Sequence, residues 1–229
     1  MQNDHFIMRA REIRSFVVQD ILIEWRLRYA INGILLYLAC IIFICYLSFR
    51  TQMNTMNPVT WNTLFWIIIL FTAVNAVTKS FIQISEERLL YLYTIADPAV
   101  VILAKITYNS LLLISISLIG FLFYSFILGN PVADQGLFLI NLILGAIGFS
   151  SVLTMNSGIA SKASNSTSLM AILSFPVILP LLLVVIKISK NALEGLDRSV
   201  SFNQIVFLIS INVIVITMSY ILFPYIWRS

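Results

Sequence analysis

Few residues in this chain have the types and spacing that chemistry requires. The only histidine is His5, and the two cysteines, Cys40 and Cys45, lie five residues apart, roughly 140° around a helix. They do not form a chelating pair, and both are expected to be ordinary buried residues. Tyrosine or methionine can ligate haem iron, but no pair of them stands out. The sequence therefore predicts no enzyme active site and no resident metal or cofactor.

Nucleotide and ion chemistry are not indicated either. The sequence has no G-x-x-x-x-G-K-[ST] motif, so the chain is not expected to bind ATP through a P-loop. Its hydrophobic stretches hold no internal Asp, Glu or Arg, which argues against a proton relay or a charged ion path. Lys79, Lys105 and Lys187 are predicted to sit at the ends of these stretches, where their side chains can reach the headgroup region.

The composition is typical of an integral membrane protein. Hydrophobic residues make up 60% of the 229 residues and charged residues only 10%, against about 25% charged in ordinary soluble domains. Continuous apolar runs that reach about 20 residues predict transmembrane helices. Six such spans are predicted, at about 31–49, 61–82, 100–128, 136–160, 168–188 and 203–225. The predicted fold class is all-α and polytopic.

Residues 6–28 are predicted to form an amphipathic helix that lies on the membrane surface. Apolar residues on one face follow steps of three and four: Phe6, Ala10, Ile13, Val17 and Ile21. Polar residues occupy the other side, namely Arg9, Glu12, Gln19 and Arg26, although Phe16 and Ile23 also fall there. The alternative is a helix of a small soluble domain. This region lacks the apolar core of a cleavable signal peptide.

The positive charges predict an orientation. Ten of the 14 Lys and Arg residues lie before the first span, in the second-to-third and fourth-to-fifth connections, or at the C-terminus. By the positive-inside rule, both termini and residues 80–98 are cytoplasmic. Lys187, Lys190 and Arg198 lie on the other side, against this trend. The rule also accounts for the net charge of +4, which does not indicate nucleic-acid binding.

Residues 80–105 form the only sizeable interior segment in which polar and charged residues interrupt the hydrophobic sequence, and residues 80–98 are its amphipathic part. Asp97-Pro98 closes it, because Pro98 disfavours helix at Asp97 and can open the next helix itself. A short amphipathic helix between two spans is suited to receive a soluble partner, and we interpret it as a coupling segment. Its candidate docking residues are Glu86, Glu87, Arg88, Leu89, Leu90, Tyr91, Leu92 and Tyr93. The alternative is a solvated loop helix.

Two other spans carry small or helix-bending residues. Pro176 and Pro180 in the fifth span each remove a backbone donor, which predicts either a static kink or a flexing point. Gly145, Gly148 and Gly158 in the fourth span predict close helix packing.

This order of elements resembles the membrane subunit of an ABC exporter whose ATPase is a separate polypeptide, and more narrowly the CcmB family. The resemblance covers nearly the whole chain, as one permease domain over residues 1–229. The matching motifs are Glu86-Glu87-Arg88, Leu89-Leu90, Ala96-Asp97-Pro98, Ala104-Lys105 and the Phe-Pro-x-x-x-Pro that ends at Pro180. Many members have glycine where Leu89 and Leu90 stand.

The resemblance implies a bacterial inner-membrane permease that serves cytochrome c maturation. It would act as a homodimer with a CcmA-like ATPase, which binds the ATP, and with CcmC-, CcmD- and CcmE-like haem-handling proteins. Haem would be a possible cargo, or ATP hydrolysis would drive release of the haem-loaded carrier. The alternatives are a permease for another hydrophobic or lipidic substrate, and a membrane scaffold without a transport path.

If residues 86–95 dock on the ATPase, charged replacements within Leu89–Tyr93 should weaken its association. A lost buried anchor typically costs about 2 kcal/mol or more, roughly 30-fold in affinity. Membrane insertion should not change, because the segment is predicted to lie outside the hydrocarbon. Co-purification of the ATPase with each variant is the measurement. Unchanged co-purification and cytochrome c maturation across the whole scan would make the segment an ordinary loop.

Overall fold

Seven helices make up the part of the chain that the computed structural model describes, which is residues 2–27, 29–50, 56–78, 81, 97–161 and 166–228. No strand occurs in this part. The helices are α1 (Gln2–Leu27), α2 (Tyr29–Arg50), α3 (Pro58–Val77), α4 (Pro98–Leu128), α5 (Gln135–Ala160), α6 (Ser166–Glu194) and α7 (Arg198–Arg228). Six of them, α2 to α7, are long and apolar enough to cross a membrane. The all-α polytopic fold is therefore confirmed.

The helices do not end where the hydrophobicity ends. α6 continues beyond 188 to Glu194, and α7 starts at Arg198 instead of 203, so only residues 195–197 separate them. The predicted connection 189–203 was too long because apolarity marks the depth of the hydrocarbon, whereas hydrogen bonding continues the helix into polar sequence.

Local capping signals begin the spans α3 and α4. Asn57 and Asp97 have extended backbones and accept hydrogen bonds from the Val59 and Ala99 amides at 3.0 and 3.1 Å. Pro58 and Pro98 follow them in the first turn, where a missing N–H costs nothing. The predicted helix start at Asp97-Pro98 is confirmed.

An aromatic cluster fills the space between α3, α4 and α5. Trp61 and Phe65 stack at 5.7 Å, and Phe121 lies 4.8 Å from Phe138, measured between ring centroids. Such ring pairs add about 0.5–1.5 kcal/mol beyond the area that they bury. α5 lies at the centre of the bundle and packs against α3, α4, α6 and α7.

Buried amide side chains tie the spans to one another. The Asn141 amide donates to the Val185 carbonyl at 2.8 Å and to the Ser189 hydroxyl at 2.7 Å, which also accepts from the Trp66 indole at 2.7 Å. Asn62 donates to the Ile186 carbonyl at 3.0 Å. Because lipid offers no competing partner, these bonds stabilise helix association by about 0.6 kcal/mol each on average.

A charged clamp joins three helices at the end of the bundle that holds the α4–α5 and α6–α7 connections. Arg198 donates to both carboxylate oxygens of Asp134, at 2.7 and 3.0 Å, and the Asp134 amide donates to the Ala192 carbonyl at 2.9 Å. The Arg198 bonds, with the Leu137 amide, lower the pKa of Asp134 to about 2. The stabilisation is therefore complete above the ordinary pKa of 3.8 and is lost only as the pH falls through about 2.

Gly148 shows why α5 approaches its neighbours closely. A Cβ atom here would collide with Leu181 Cδ1 and lie 2.7 Å from Asn212 Oδ1. Gly145 is similar, because a Cβ there would lie 2.9 Å from the Trp66 ring. The predicted role of these glycines in helix packing is confirmed.

Gly148→Val should destabilise the bundle by about 1–3 kcal/mol, because two helices must move apart to admit the side chain. Gly33→Val is the matched control, since nothing lies within 4 Å of a Cβ at Gly33. Thermal unfolding of both variants in one detergent is the measurement. Equal melting temperatures for the two would contradict close packing at Gly148.

Candidate functional site

The candidate coupling segment connects α3 to α4. Its predicted docking residues, Glu86, Glu87, Arg88, Leu89, Leu90, Tyr91, Leu92 and Tyr93, lie outside the described residues. The structure describes the two ends of the connection, at Phe81 and Asp97. The site is therefore built from those ends and from the helices that hold them.

Phe81 anchors one end in a small apolar cluster. Its side chain is 2% exposed, and its ring lies 5.4 Å from that of Phe223 on α7. Val101, Ile102 and Ile106 of α4 complete the cluster, which is separate from the main core. Burying a phenylalanine contributes about 1.5–3 kcal/mol, so this end is firmly attached to α4 and α7.

Asp97 anchors the other end by charge. Besides capping α4, its carboxylate accepts from Arg9 of α1 at 3.2 Å, and Arg9 also donates to the Tyr220 hydroxyl of α7 at 3.1 Å. These side chains line an open cleft of about 400 Å³ where α1, α4 and α7 meet. Because Arg9 and Asp97 are about half exposed, this ion pair contributes at most about 1 kcal/mol.

A buried ion pair holds α1 to α4 more strongly. Lys105 Nζ lies 2.8 Å from Asp20 Oδ2, and the two side chains are only 11% and 12% exposed. The prediction that Lys105 reaches out to the headgroups was wrong, because a buried carboxylate on α1 holds its ammonium group instead. Lys187, by contrast, is exposed.

The buried edge of α1 explains the imperfect amphipathic pattern. Phe16 and Ile23, which fell on the predicted polar side, are partly buried, whereas Ile21 on the predicted apolar face is 41% exposed. α1 packs mainly on α4. The acidic residues Asp20 and Glu24, one turn apart, were the signal available in the sequence for a cationic partner on another helix.

Pro176 and Pro180 both lie within α6 and are exposed. Around them Ile172, Phe175 and Leu183 are each more than 60% exposed. Further along, α6 receives the Asn62 and Asn141 hydrogen bonds at Ile186, Val185 and Ser189. The two prolines thus lie in the part of α6 that the other helices bury least.

The residues considered for metal chemistry are not brought together. Cys40 is exposed on α2, which corrects the expectation that it is buried, and Cys45 is partly buried. The His5 side chain lies outside the described part of the chain. Among the described residues, no group of three His, Cys, Asp or Glu side chains could hold a metal ion.

The fold and the site define a class of protein. Six apolar spans and an additional N-terminal helix are the features of a polytopic membrane protein. A family model described as CcmB protein matches residues 11–225, and the chain therefore belongs to the CcmB family. No curated protein matches the chain.

Family membership defines the general role. CcmB is the membrane subunit of the haem-exporting ABC transporter of cytochrome c maturation, a permease subunit that is not itself the ATPase. The family works in a complex with the CcmA ATPase and other Ccm proteins, as a multi-pass protein of the inner membrane.

The buried ion pair can be tested against an exposed one. Lys105→Gln leaves the Asp20 carboxylate buried without its ammonium partner, and breaking a fully buried pair costs about 3–5 kcal/mol. Lys190→Gln is the matched control, because Lys190 and Glu194 are 3.7 Å apart and about half exposed, a pair worth about 0–1 kcal/mol. The melting temperature should fall much further for Lys105→Gln.

Adding Asp20→Asn to Lys105→Gln should recover part of that loss, because the buried negative charge that faced Lys105 is then removed. If the two single variants melt at the same temperature, the Asp20–Lys105 pair does not hold α1 to α4.

Proposed function

We propose that this chain transmits nucleotide-driven movement of a CcmA-like ATPase through residues 80–98 to the ends of α1, α4 and α7. The movement would release a haem-loaded, CcmE-like carrier at the opposite membrane face. Haem passage through the chain itself is the less supported version, since no histidine pair is available to hold haem iron.

Attachment of the connection at both ends is the observation that carries this proposal. A segment attached to the bundle at one end only could be displaced by the ATPase without moving the helices. Here Phe81 is packed on α4 and α7, and Asp97 is bonded to α4 and α1. A displacement of residues 82–96 is therefore applied to three helices together.

α4 passes the displacement further into the bundle. Asn109 donates to Thr154 of α5 at 2.8 Å, and Ser110 donates to Ser150 of α5 at 3.1 Å. α4 thus moves with α5, the central helix. Movement then reaches α6, where Pro176 and Pro180 would act as the flexing point, because the carbonyls of Ile172 and Pro176 lack an amide partner one turn on.

The orientation and the assembly complete the proposal. Both termini and the connection face the cytoplasm, as the distribution of Lys and Arg suggests. The chain acts as a homodimer and associates with CcmC- and CcmD-like partners. The broadly exposed apolar faces of α6 and α7 are available for lipid or for these subunits.

Phe81→Ala tests transmission separately from assembly. Truncating a buried phenylalanine typically costs about 3–5 kcal/mol of packing, which would loosen the anchor without altering residues 86–93. The ATPase should still co-purify, while ATP-dependent release of the haem-loaded carrier should fall at least tenfold. Phe126→Ala, which removes a ring that is 87% exposed on α4, should behave as wild type.

Three results would overturn the proposal. Normal carrier release by Phe81→Ala would mean that the anchor does not transmit movement. Maturation supported by an ATPase-inactive partner would favour a scaffold. A complex purified without any haem-handling protein would favour a permease for another hydrophobic substrate.

A further inference from the structure

A groove on the bundle surface is not used by the function proposed above. It has a volume of about 290 Å³, opens sideways between α1, α2 and α4, and is independent of the α3–α4 connection. The floor of the groove is one face of α4, on which the lining residues recur every three or four positions along the sequence. The lining residues on that face are Tyr108, Leu111, Leu112, Ser115, Ile116 and Ile119.

The groove is polar at one end only. Glu24 and Tyr108 lie at that end, next to the buried Asp20–Lys105 pair, whereas Ile21 and Leu35 line its sides. The Tyr108 side chain is 8% exposed, and its hydroxyl lies close enough to the Glu24 carboxylate to interact with it. A ligand cation that pairs with the Glu24 carboxylate would therefore also meet the Tyr108 hydroxyl.

The depth of the groove matches one leaflet of a bilayer. From Tyr108 to Leu128, α4 rises about 30 Å, which is the thickness of the hydrocarbon core. From Tyr108 to Ile119 the rise is about 16 Å, close to half of that thickness.

The length of the groove and the negative charge at its polar end together indicate which kind of ligand it binds. A transmembrane helix of a partner or of a second copy would need a groove as long as the whole hydrocarbon core, whereas this groove has only about half of that length. An acyl chain fits one leaflet. The Glu24 carboxylate at the entrance complements a cation, and the Tyr108 hydroxyl can donate to an ester or phosphate oxygen.

We propose that this groove binds one phospholipid with a primary-amine headgroup. The ammonium group pairs with Glu24, an ester or phosphate oxygen accepts from Tyr108, and one acyl chain lies along Leu111, Ser115 and Ile119. A bound lipid of this kind fills the gap between α1 and α4 beside their buried ion pair.

Native mass spectrometry of the full chain in a mild detergent tests this site. The probes are phosphatidylethanolamine and phosphatidylcholine with identical acyl chains. One phosphatidylethanolamine should bind at least tenfold more tightly than phosphatidylcholine, because the methylated headgroup cannot donate a hydrogen bond to Glu24. Glu24→Gln should remove most of that preference.

A pair of matched variants tests the apolar part. Ser115→Phe fills the groove and should reduce lipid binding at least tenfold. Ser210→Phe is the control, because both serines are exposed and bond only to the carbonyl one turn earlier in their own helix. In the wild-type chain, a phosphatidylethanolamine with a photoreactive acyl chain should cross-link within residues 111–119.

Three outcomes would contradict the proposed lipid site. Equal binding of the two lipids, unaffected by Glu24→Gln, would mean adventitious surface lipid only. Cross-links spread over all the spans would mean the same. If Ser115→Phe shifted the mass of an oligomer instead of the lipid adduct, the groove would hold a protein helix and the proposal would be wrong.

Discussion

The absence of water from the hydrocarbon is the constraint on which this structure depends. Every polar group placed there must find its partner inside the protein. Neutral amides in the bundle meet part of this requirement, as the Asn141 NH2 group shows with its bonds to Val185 and Ser189. Among the described residues, charge pairs include Asp134–Arg198, at the start of α5 and α7, and Asp20–Lys105, between α1 and α4.

The two ends of the bundle differ in a way that suits a transmitting subunit. At one end, Asp134 caps α5, pairs with Arg198 and binds the carbonyl of Ala192, so three helices are locked by short bonds. At the other end, the Arg9–Asp97 pair is weak and exposed, while the Phe81 cluster and the Asp20–Lys105 pair are buried. Buried contacts keep α1, α4 and α7 moving together, and the exposed pair can break and reform at little cost.

Local signals in the sequence were enough to predict the spans and some of their starts. Asp97 and Pro98 define a helix start through their own backbone preferences, which need no tertiary contact. The ends of α6 and α7 were misplaced because apolarity reports hydrocarbon depth alone. The Lys105 partner could not be deduced, since it depends on α1 folding back along α4, a contact between residues far apart in sequence. The same contact buries Phe16 and Ile23, which therefore looked misplaced on a helix considered by itself.

The packing of α1 links the buried ion pair to the lipid groove. An amphipathic helix that only floated on the membrane would need no acidic residues facing the bundle. Asp20 and Glu24 lie one turn apart: Asp20 pairs with Lys105, whereas Glu24 lies at the entrance of the groove beside Tyr108. One carboxylate thus holds α1 to α4, and the other lies where it can pair with the headgroup of the proposed lipid. Because α1 also carries Arg9 to Asp97, a lipid seated in this groove would stabilise the position of the helix that meets the α3–α4 connection. Lipid composition would then affect how firmly movement of that connection is passed on to the spans.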